Sequence, residues 1–240
     1  GLDLEARLGS DLPSPAAVRT TVDRESRFRI EDERGVPALL DALRGDSDIE
    51  VRRTAAWALG ETGESAVGAL IAALGAERAE TRDWAVHALG VIGKPAVAPL
   101  IAGLKDGNGF VRANAAQALG IIGWSDAVPA LLPLMKDENS LVRSRAAGAL
   151  GKVAGAGVVE PLLAALQDAD PEVRRCAAEG LGRAKDRRAV EALMTSAKDE
   201  NPQVRQAAVA ALGELGGNRA VTPAISALKD ADRQVRLAAA

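Results

Sequence analysis

Apolar and polar positions along the chain follow two alternating helical patterns. In the first, residues 67–74 read VGALIAAL, and the apolar side chains recur at i, i+3, i+4 and i+7, the spacing of one apolar stripe on an α-helix. In the second, residues 168–182 read DADPEVRRCAAEGLG, with a capping Asp-Pro pair near the start, paired alanines inside and Leu-Gly at the end. The two patterns together predict a short helix followed by a longer one.

This two-helix pattern repeats with a nearly constant period. Successive copies of the arginine are 30 or 31 residues apart, and in all but the last copy a Leu-Gly pair begins eight residues after the residue that precedes the arginine. The dipeptides that define the series are Val51-Arg52, Thr81-Arg82, Val111-Arg112, Val142-Arg143, Val173-Arg174, Val204-Arg205 and Val235-Arg236. A fixed period of this length predicts an all-α fold built as a solenoid.

The ends of the longer helices have their own signals. Asp or Asn stands where each helix should begin, at positions 48, 108, 139, 170, 201 and 232, and its side chain can accept a hydrogen bond from a free backbone N–H. Glycine follows the Leu and often recurs three residues later, as at 60 and 63. We expect these glycines to end the helices, and the glycine after Leu to close each one.

An aspartate lies six residues before nearly every repeated arginine. That spacing places the carboxylate in the turn between the helices and the guanidinium in the first turns of the second helix. We therefore expect a structural ladder of charge-assisted hydrogen bonds within and between neighbouring repeats. Its members are Asp46, Arg52, Arg82, Asp106, Arg112, Asp137, Arg143, Asp168, Arg174, Asp199, Arg205, Asp230 and Arg236.

On these motifs the chain resembles the HEAT-repeat family, in the short form of the phycobilisome-lyase-type HEAT-like repeats. The resemblance covers residues 36–240 and implies a right-handed α-solenoid of about seven two-helix repeats, with the Val-Arg helices on the concave face. It also implies that protein binding is the usual activity, although some members of the family are enzymes.

The two ends of the chain depart from the repeat. Residues 1–35 break the pattern, and we interpret them as an N-terminal cap or a degenerate repeat. The last repeat is truncated inside its second helix, at Val235–Ala240. We expect either a longer native protein or an apolar end that another chain covers, as in end-to-end self-association.

Composition and charge narrow the function classes. Aromatic residues make up only 2% of the chain, so the core must consist of Ala, Leu, Val and Ile. With 30 basic and 33 acidic residues, the chain has no overall field that would attract nucleic acid or an acidic membrane. The single Cys176 excludes an internal disulfide framework, and no apolar run is long enough to span a bilayer. We expect a soluble cytoplasmic protein.

Catalytic signals are sparse. One His and one Cys cannot form a metal cluster, and the glycines recur with the repeat rather than as a phosphate-binding loop. HEAT-like hydroxylases bind iron through repeated His-Glu pairs, whereas His87 is followed by Ala88. The sequence predicts a protein that is not an enzyme and has neither cofactor nor metal. The alternative is an accessory or lyase-type subunit of a tetrapyrrole (phycobilin) lyase system.

Large side chains gather at inward positions of the first four repeats. The candidate binding residues are Ile49, Arg53, Trp57, Trp84, His87, Phe110 and Leu141. Inward charges are three basic against five acidic, which disfavours nucleic acid and leaves a protein or peptide as the expected partner. The alternatives are that Trp57 and Trp84 pack against neighbouring helices or under the N-terminal segment, or that the array is a spacer without a binding surface.

The second repeat, TRDWAVHALGVIG at 81–93, departs most from the pattern. Thr81 replaces the core Val, Arg78 replaces the capping residue and Ala76 replaces the ladder aspartate. We expect Arg82 to use Asp46 or Asp106 instead. The hypothesis is that this repeat lost ladder residues because it hosts the binding site. Full burial of Trp84 would instead favour the alternative that the repeat lost its consensus residues without gaining a binding role.

Overall fold

The computed structural model describes residues 35–153 and 156–240, and all regular structure in these ranges is helical. Contacts divide the chain into two units, residues 1–100 and 101–240. In the first unit α1 spans Val36–Gly45, α2 Ile49–Thr62, α3 Val67–Ala73 and α4 Ala79–Ile92. Short 3₁₀ helices, Gly63–Ala66 and Lys94–Ala96, precede α3 and α5, and α5 (Val97–Gly103) contains the boundary between the units.

The second unit continues the same alternation of short and long helices. The long helices are α6 (Gly109–Ile122), α8 (Ser140–Val153), α10 (Pro171–Ala184) and α12 (Pro202–Leu215). The shorter ones are α7 (Val128–Leu131), α9 (Val159–Ala165), α11 (Val190–Ser196), α13 (Asn218–Ala227) and α14 (Arg233–Ala238). The 3₁₀ helices are Ser125–Ala127, Leu132–Lys136, Ala156–Val158 and Arg187–Ala189. The predicted all-α repeat fold is confirmed.

Side-chain caps set the start of most long helices. Asp48, Asn108, Asp170 and Asn201 each accept a hydrogen bond from the backbone N–H two residues later. These bonds satisfy one of the donors that the first turn of a helix leaves without a partner. Arg78 makes no such bond, as expected for a residue whose side chain has no acceptor.

Leucine, valine and alanine form the core. The leucine of the Leu-Gly pair is buried in each of α2, α4, α6, α8, α10 and α12. The paired alanines of the long helices are buried as well, for example Ala55 with Ala56 in α2 and Ala146 with Ala147 in α8. Because alanine adds only a methyl group, neighbouring long helices approach closely.

The expected role of the glycine after Leu is wrong. Gly60, Gly120 and Gly151 lie inside helices, each of which continues for two further residues. A Cβ at position 120 would come within 2.7 Å of the Ala149 Cα, and one at 151 within 2.3 Å of the Gly180 Cα. These glycines therefore allow close helix packing. The helix ends instead at the glycine three residues later, as at Gly63 with φ +73°.

Parts of the predicted domain organisation lie outside the described residues. The proposed N-terminal cap, residues 1–35, is described only at Gly35. Among the described residues no single helix is both long and apolar enough to cross a bilayer, and Ala79–Ile92 with Lys94–Gly103 reach that length and composition only as a pair bent by 117°.

Candidate functional site

Four consecutive ion pairs link the repeats of the second unit. In each, the arginine donates from Nε and Nη2 to the two carboxylate oxygens of the aspartate 25 residues later, over 2.8–3.0 Å. We call each of these pairs a rung; they are Arg112–Asp137, Arg143–Asp168, Arg174–Asp199 and Arg205–Asp230. Parallel two-point bonds of this kind are strong and fix orientation.

Each rung also holds the turns of its two repeats. The Nη1 of Arg143 donates to the backbone oxygens of Asp137 and Glu138 at 2.9 and 3.2 Å, so the guanidinium closes the turn that precedes its own helix. Asp168, its partner, accepts the N–H of Asp170 at 2.9 Å and so braces the turn of the next repeat. The same contacts recur in the other three rungs, so each of these four arginines joins two neighbouring repeats.

The rungs shift the pKa values of their members. The hydrogen bond from Arg143 lowers the pKa of Asp168, burial opposes it, and the N–H of Asp170 lowers it further. The pKa values of Asp137 and Asp230 are lowered by hydrogen bonds from Arg112 and Arg205 in the same way. At Asp199 burial is the largest single influence and raises the pKa, but the hydrogen bonds from Arg174 and the Asn201 N–H and the charges of Arg174 and Arg205 lower it overall.

Arg52 of the first unit forms no such rung with any residue that the structure describes. Arg52 donates from Nη1 to the backbone oxygens of Asp46 and Ser47, as the other arginines do, but its buried Nε has no hydrogen-bond partner among the described residues. Position 76, where the aspartate would stand, is Ala76. Arg82 donates from Nη1 to the Ala76 and Glu77 oxygens at 2.7 Å, and its expected bond to Asp46 or Asp106 stays a prediction.

A groove lies between α2 and α4, which pack against each other in the first unit. Arg53, Thr54 and Trp57 of α2 and Trp84 and His87 of α4 line it, and it encloses about 340 Å³. We call it the tryptophan groove. Its volume is at the small end of the range for ligand pockets in proteins, enough for one or two amino-acid side chains.

The groove leaves large rings accessible. Trp57 is 42% exposed and His87 is exposed, whereas Trp84 is half-buried. The Trp84 and His87 rings meet edge to face, with centroids 6.4 Å apart and planes at 82°. Aromatic pairs favour this arrangement, which holds both rings in place before any ligand arrives. Trp84 is therefore not fully buried. Full burial would have favoured the alternative that this repeat simply lost its consensus residues.

The other predicted binding residues lie at the starts of long helices. Ile49 is the first residue of α2, 53% exposed, and does not line the groove. Phe110 and Leu141 belong to the second unit, where Phe110 is 44% exposed in α6 and Leu141 is half-buried in α8. Each of the last two donates its N–H to the capping asparagine two residues earlier, so the cap fixes its backbone.

Thr54 also lines the groove, although the sequence pattern did not predict it as a binding residue. Its hydroxyl donates to the backbone oxygen of Glu50 at 2.8 Å, which leaves its methyl group as the part available to a ligand. The repeat offered the signal, because Thr54 occupies the same register in its repeat as Trp84 does in the next.

Cys176 lies in a salt-bridge cluster of α10 in the second unit. Arg175 bonds to Glu172 and Glu179, and the Cys176 sulfur lies 3.4 Å from the Arg175 Nη2. Burial raises the pKa of the Cys176 thiol to about 11, so it stays protonated near neutral pH and is a poor nucleophile. Within residues 35–153 and 156–240, His, Cys, Asp and Glu form no group of three that could hold a metal ion.

A family model for HEAT repeats matches the chain three times, over residues 36–108, 97–167 and 159–240. The chain belongs to the HEAT-repeat family. No curated protein sequence matches it. The family assignment confirms the resemblance found in the repeated motifs.

Several solved structures share the fold at low sequence identity. The S. pombe condensin Cnd3-Cnd2 subcomplex is similar with a TM-score of 0.67 and 20% identity, over 85% of this chain and 32% of that one. The Kap95:Nup1 complex gives a TM-score of 0.63 and 15% identity, over 79% of this chain and 32% of that one. The CpcE–CpcF complex of phycocyanin lyase from Nostoc sp. gives a TM-score of 0.51 and 22% identity, over 91% of this chain and 97% of that one.

Proposed function

We propose that this chain is a non-enzymatic interaction scaffold and that the tryptophan groove binds a segment of a partner protein. The observation that carries the proposal is the pairing of an exposed Trp57 with a half-buried, ring-braced Trp84 in one groove of about 340 Å³. Large, rigid aromatic side chains in a pre-formed pocket are typical of residues that dominate binding energy. Ile49, which is exposed at the start of α2 in the same unit, would add to this contact, and the involvement of Phe110 and Leu141 of the second unit stays a prediction.

The rest of the molecule supports this proposal. The repeated arginines and aspartates are bound to one another in the second unit, so they are not available for chemistry on a substrate. The single cysteine is buried and protonated, and His87 lies beside an indole rather than a nucleophile. Two of the similar solved structures, Kap95:Nup1 and Cnd3-Cnd2, are complexes between proteins.

Replacing the two indoles tests the proposal. Peptides of about twelve residues would be selected from a random display library on the wild-type chain, and their affinity measured by fluorescence anisotropy. We expect the double variant Trp57→Ala, Trp84→Ala to lose at least about tenfold in affinity, because each indole supplies a large buried contact on binding. Circular dichroism should show unchanged helicity, with a smaller loss of melting temperature for Trp57→Ala than for Trp84→Ala, since Trp57 is the more exposed.

A matched control removes an exposed apolar side chain elsewhere. Ile225→Ala in α13 replaces a residue that is 55% exposed, and it should leave peptide affinity unchanged. If Trp57→Ala alone unfolds the chain, the ring is structural and the groove is not a binding site. If the double variant stays folded and binds the selected peptides as well as wild type, the array is better described as a spacer.

A lyase-type subunit is the second candidate. It is favoured by the CpcE–CpcF similarity, which extends over 97% of that chain and 91% of this one. Incubation of the purified chain with a linear tetrapyrrole tests it, because a bound chromophore changes its absorbance spectrum. A scaffold should leave the spectrum as it is in buffer, whereas a shift that the double tryptophan variant removes would place the chromophore in the groove.

A further inference from the structure

We propose that the tryptophan groove recognises a cationic side chain, an arginine or a lysine, in the partner segment. This inference rests on the proposed function and adds the chemistry of the residue that enters the groove. It is carried by the juxtaposition of accessible indole rings with carboxylates that form no ion pair with any residue the structure describes.

The carboxylates share helix faces with the lining residues. Glu61 follows Trp57 by four residues on α2, and on α4 Glu80 and Asp83 precede Trp84 and His87 by four. Residues four apart on a helix lie on one face, one turn from each other. Glu61, Glu80 and Asp83 make no ion pair and no side-chain hydrogen bond with any residue that the structure describes.

The one permanent positive charge at the groove is already neutralised. Arg53 forms an ion pair with Glu50 one turn earlier on α2. Three carboxylates one helical turn from the lining residues therefore have no ion-pair partner among the residues that the structure describes. A neutral apolar side chain would leave them unused, and an acidic side chain would be repelled by them, so charge complementarity favours a cation.

The rings suit the same occupant. An indole face attracts an ammonium or guanidinium group, and its apolar area packs against the aliphatic stem of lysine or arginine. Trp57 exposes 42% of its surface, which leaves room for such stacking. A pocket of about 340 Å³ accepts one long side chain with part of its backbone.

The same peptide selection tests the charge preference, with the full chain as the target. Selected peptides should be enriched in arginine or lysine next to apolar residues. Their affinity should fall about tenfold for the double variant Glu80→Gln, Asp83→Asn, and several-fold when the salt concentration is raised, because exposed charges are screened. Enrichment of aspartate or glutamate, or equal affinity for the wild-type and neutralised chains, would overturn the inference.

A control variant separates local from overall charge. The double variant Glu138→Gln, Glu214→Gln also removes two negative charges, but from exposed positions of the second unit. This control should leave peptide affinity within about twofold of wild type, as expected for charges that do not lie on the helices of the groove. An equal loss in both variants would mean that overall charge alone drives binding, and the inference would be wrong.

The results for the tryptophan variant distinguish the two proposals. Peptides that lose binding to the Trp57→Ala, Trp84→Ala chain but lack basic residues would sustain the binding site and refute its preference for cations. Selected peptides that are indifferent to both tryptophans, or a library that yields no binders, would refute the two proposals together.

Discussion

At the scale of single residues, glycines of the long helices serve two different purposes. In α8, Gly151 touches the neighbouring helix so closely that a Cβ would lie 2.3 Å from the Gly180 Cα, whereas a Cβ at Gly148 would meet nothing within 4 Å. We expect Gly151→Ala to lower the free energy of unfolding by about 1–3 kcal/mol, because the backbones must move apart. Urea denaturation followed by circular dichroism measures the change.

Gly148→Ala is the matched control for that variant. It changes the same residue type in the same helix, and alanine favours a helix over glycine by roughly 0.5–1 kcal/mol, so we expect equal or higher stability. Similar losses in the two variants would show that glycine flexibility, rather than close packing, accounts for Gly151.

The glycines also show what a sequence can predict about a residue. The period marked Gly60 and Gly63 as special, and propensity rules then favoured a helix end at the first of them. Whether a helical glycine faces another backbone depends on the distance between helices in the folded chain, which the sequence does not contain. The same limit applies to Trp84, whose half-burial and contact with His87 could be found only in three dimensions.

At the scale of elements, the missing rung in the first unit predicts a stabilising substitution. Ala76→Asp would place a carboxylate near the unpaired Nε of Arg52. The same carboxylate would also accept a hydrogen bond from the N–H of residue 78, as the aspartates of the four complete rungs do from the residue two positions later. We expect a gain of about 1 kcal/mol in the free energy of unfolding, because a partly buried charge-assisted bond replaces an unsatisfied donor. Thermal and urea denaturation would report it.

Ala76→Asn separates charge from shape in that experiment. The amide can accept the turn hydrogen bond but brings no negative charge to Arg52, so it should recover less than half of the gain. If Ala76→Asp is neutral or destabilising, the turn between α3 and α4 does not bring position 76 to Arg52. The sequence predicted a gap here, since Ala76 interrupts an otherwise regular series, but only the structure shows that the Nε of Arg52 is the donor left without a partner.

The fold of the whole molecule was predictable because its information is local and repeated. Helix caps, apolar stripes and Leu-Gly pairs recur every 30 or 31 residues, so several copies of each signal support one interpretation. The candidate site was less predictable, because it consists of the departures from that repeat. Arg53, Trp57, Trp84 and His87 lie together in the groove, whereas Ile49 does not line it and Phe110 and Leu141 belong to the other unit.

The ladder makes the free energy of unfolding of the whole chain depend on pH. The pKa values of Asp137, Asp168, Asp199 and Asp230 are all lowered in the folded state. A lowered folded pKa stabilises the fold above the unfolded value of about 3.9, and this stabilisation is lost as the pH falls through the folded value. We expect a free energy of unfolding that changes little from neutral pH to about pH 5 and drops steeply below about pH 4.

Asp168→Asn tests whether the rungs cause that drop. The amide keeps an acceptor for the N–H of Asp170 but leaves Arg143 without its carboxylate, which should cost about 1–3 kcal/mol at neutral pH. Because one titrating group is gone, stability should also fall less steeply below pH 4 than in wild type. Glu214→Gln, which removes an exposed carboxylate of α12 that makes no ion pair with any described residue, should leave the slope unchanged. Equal slopes in wild type and Asp168→Asn would mean that acid acts through carboxylates outside the ladder.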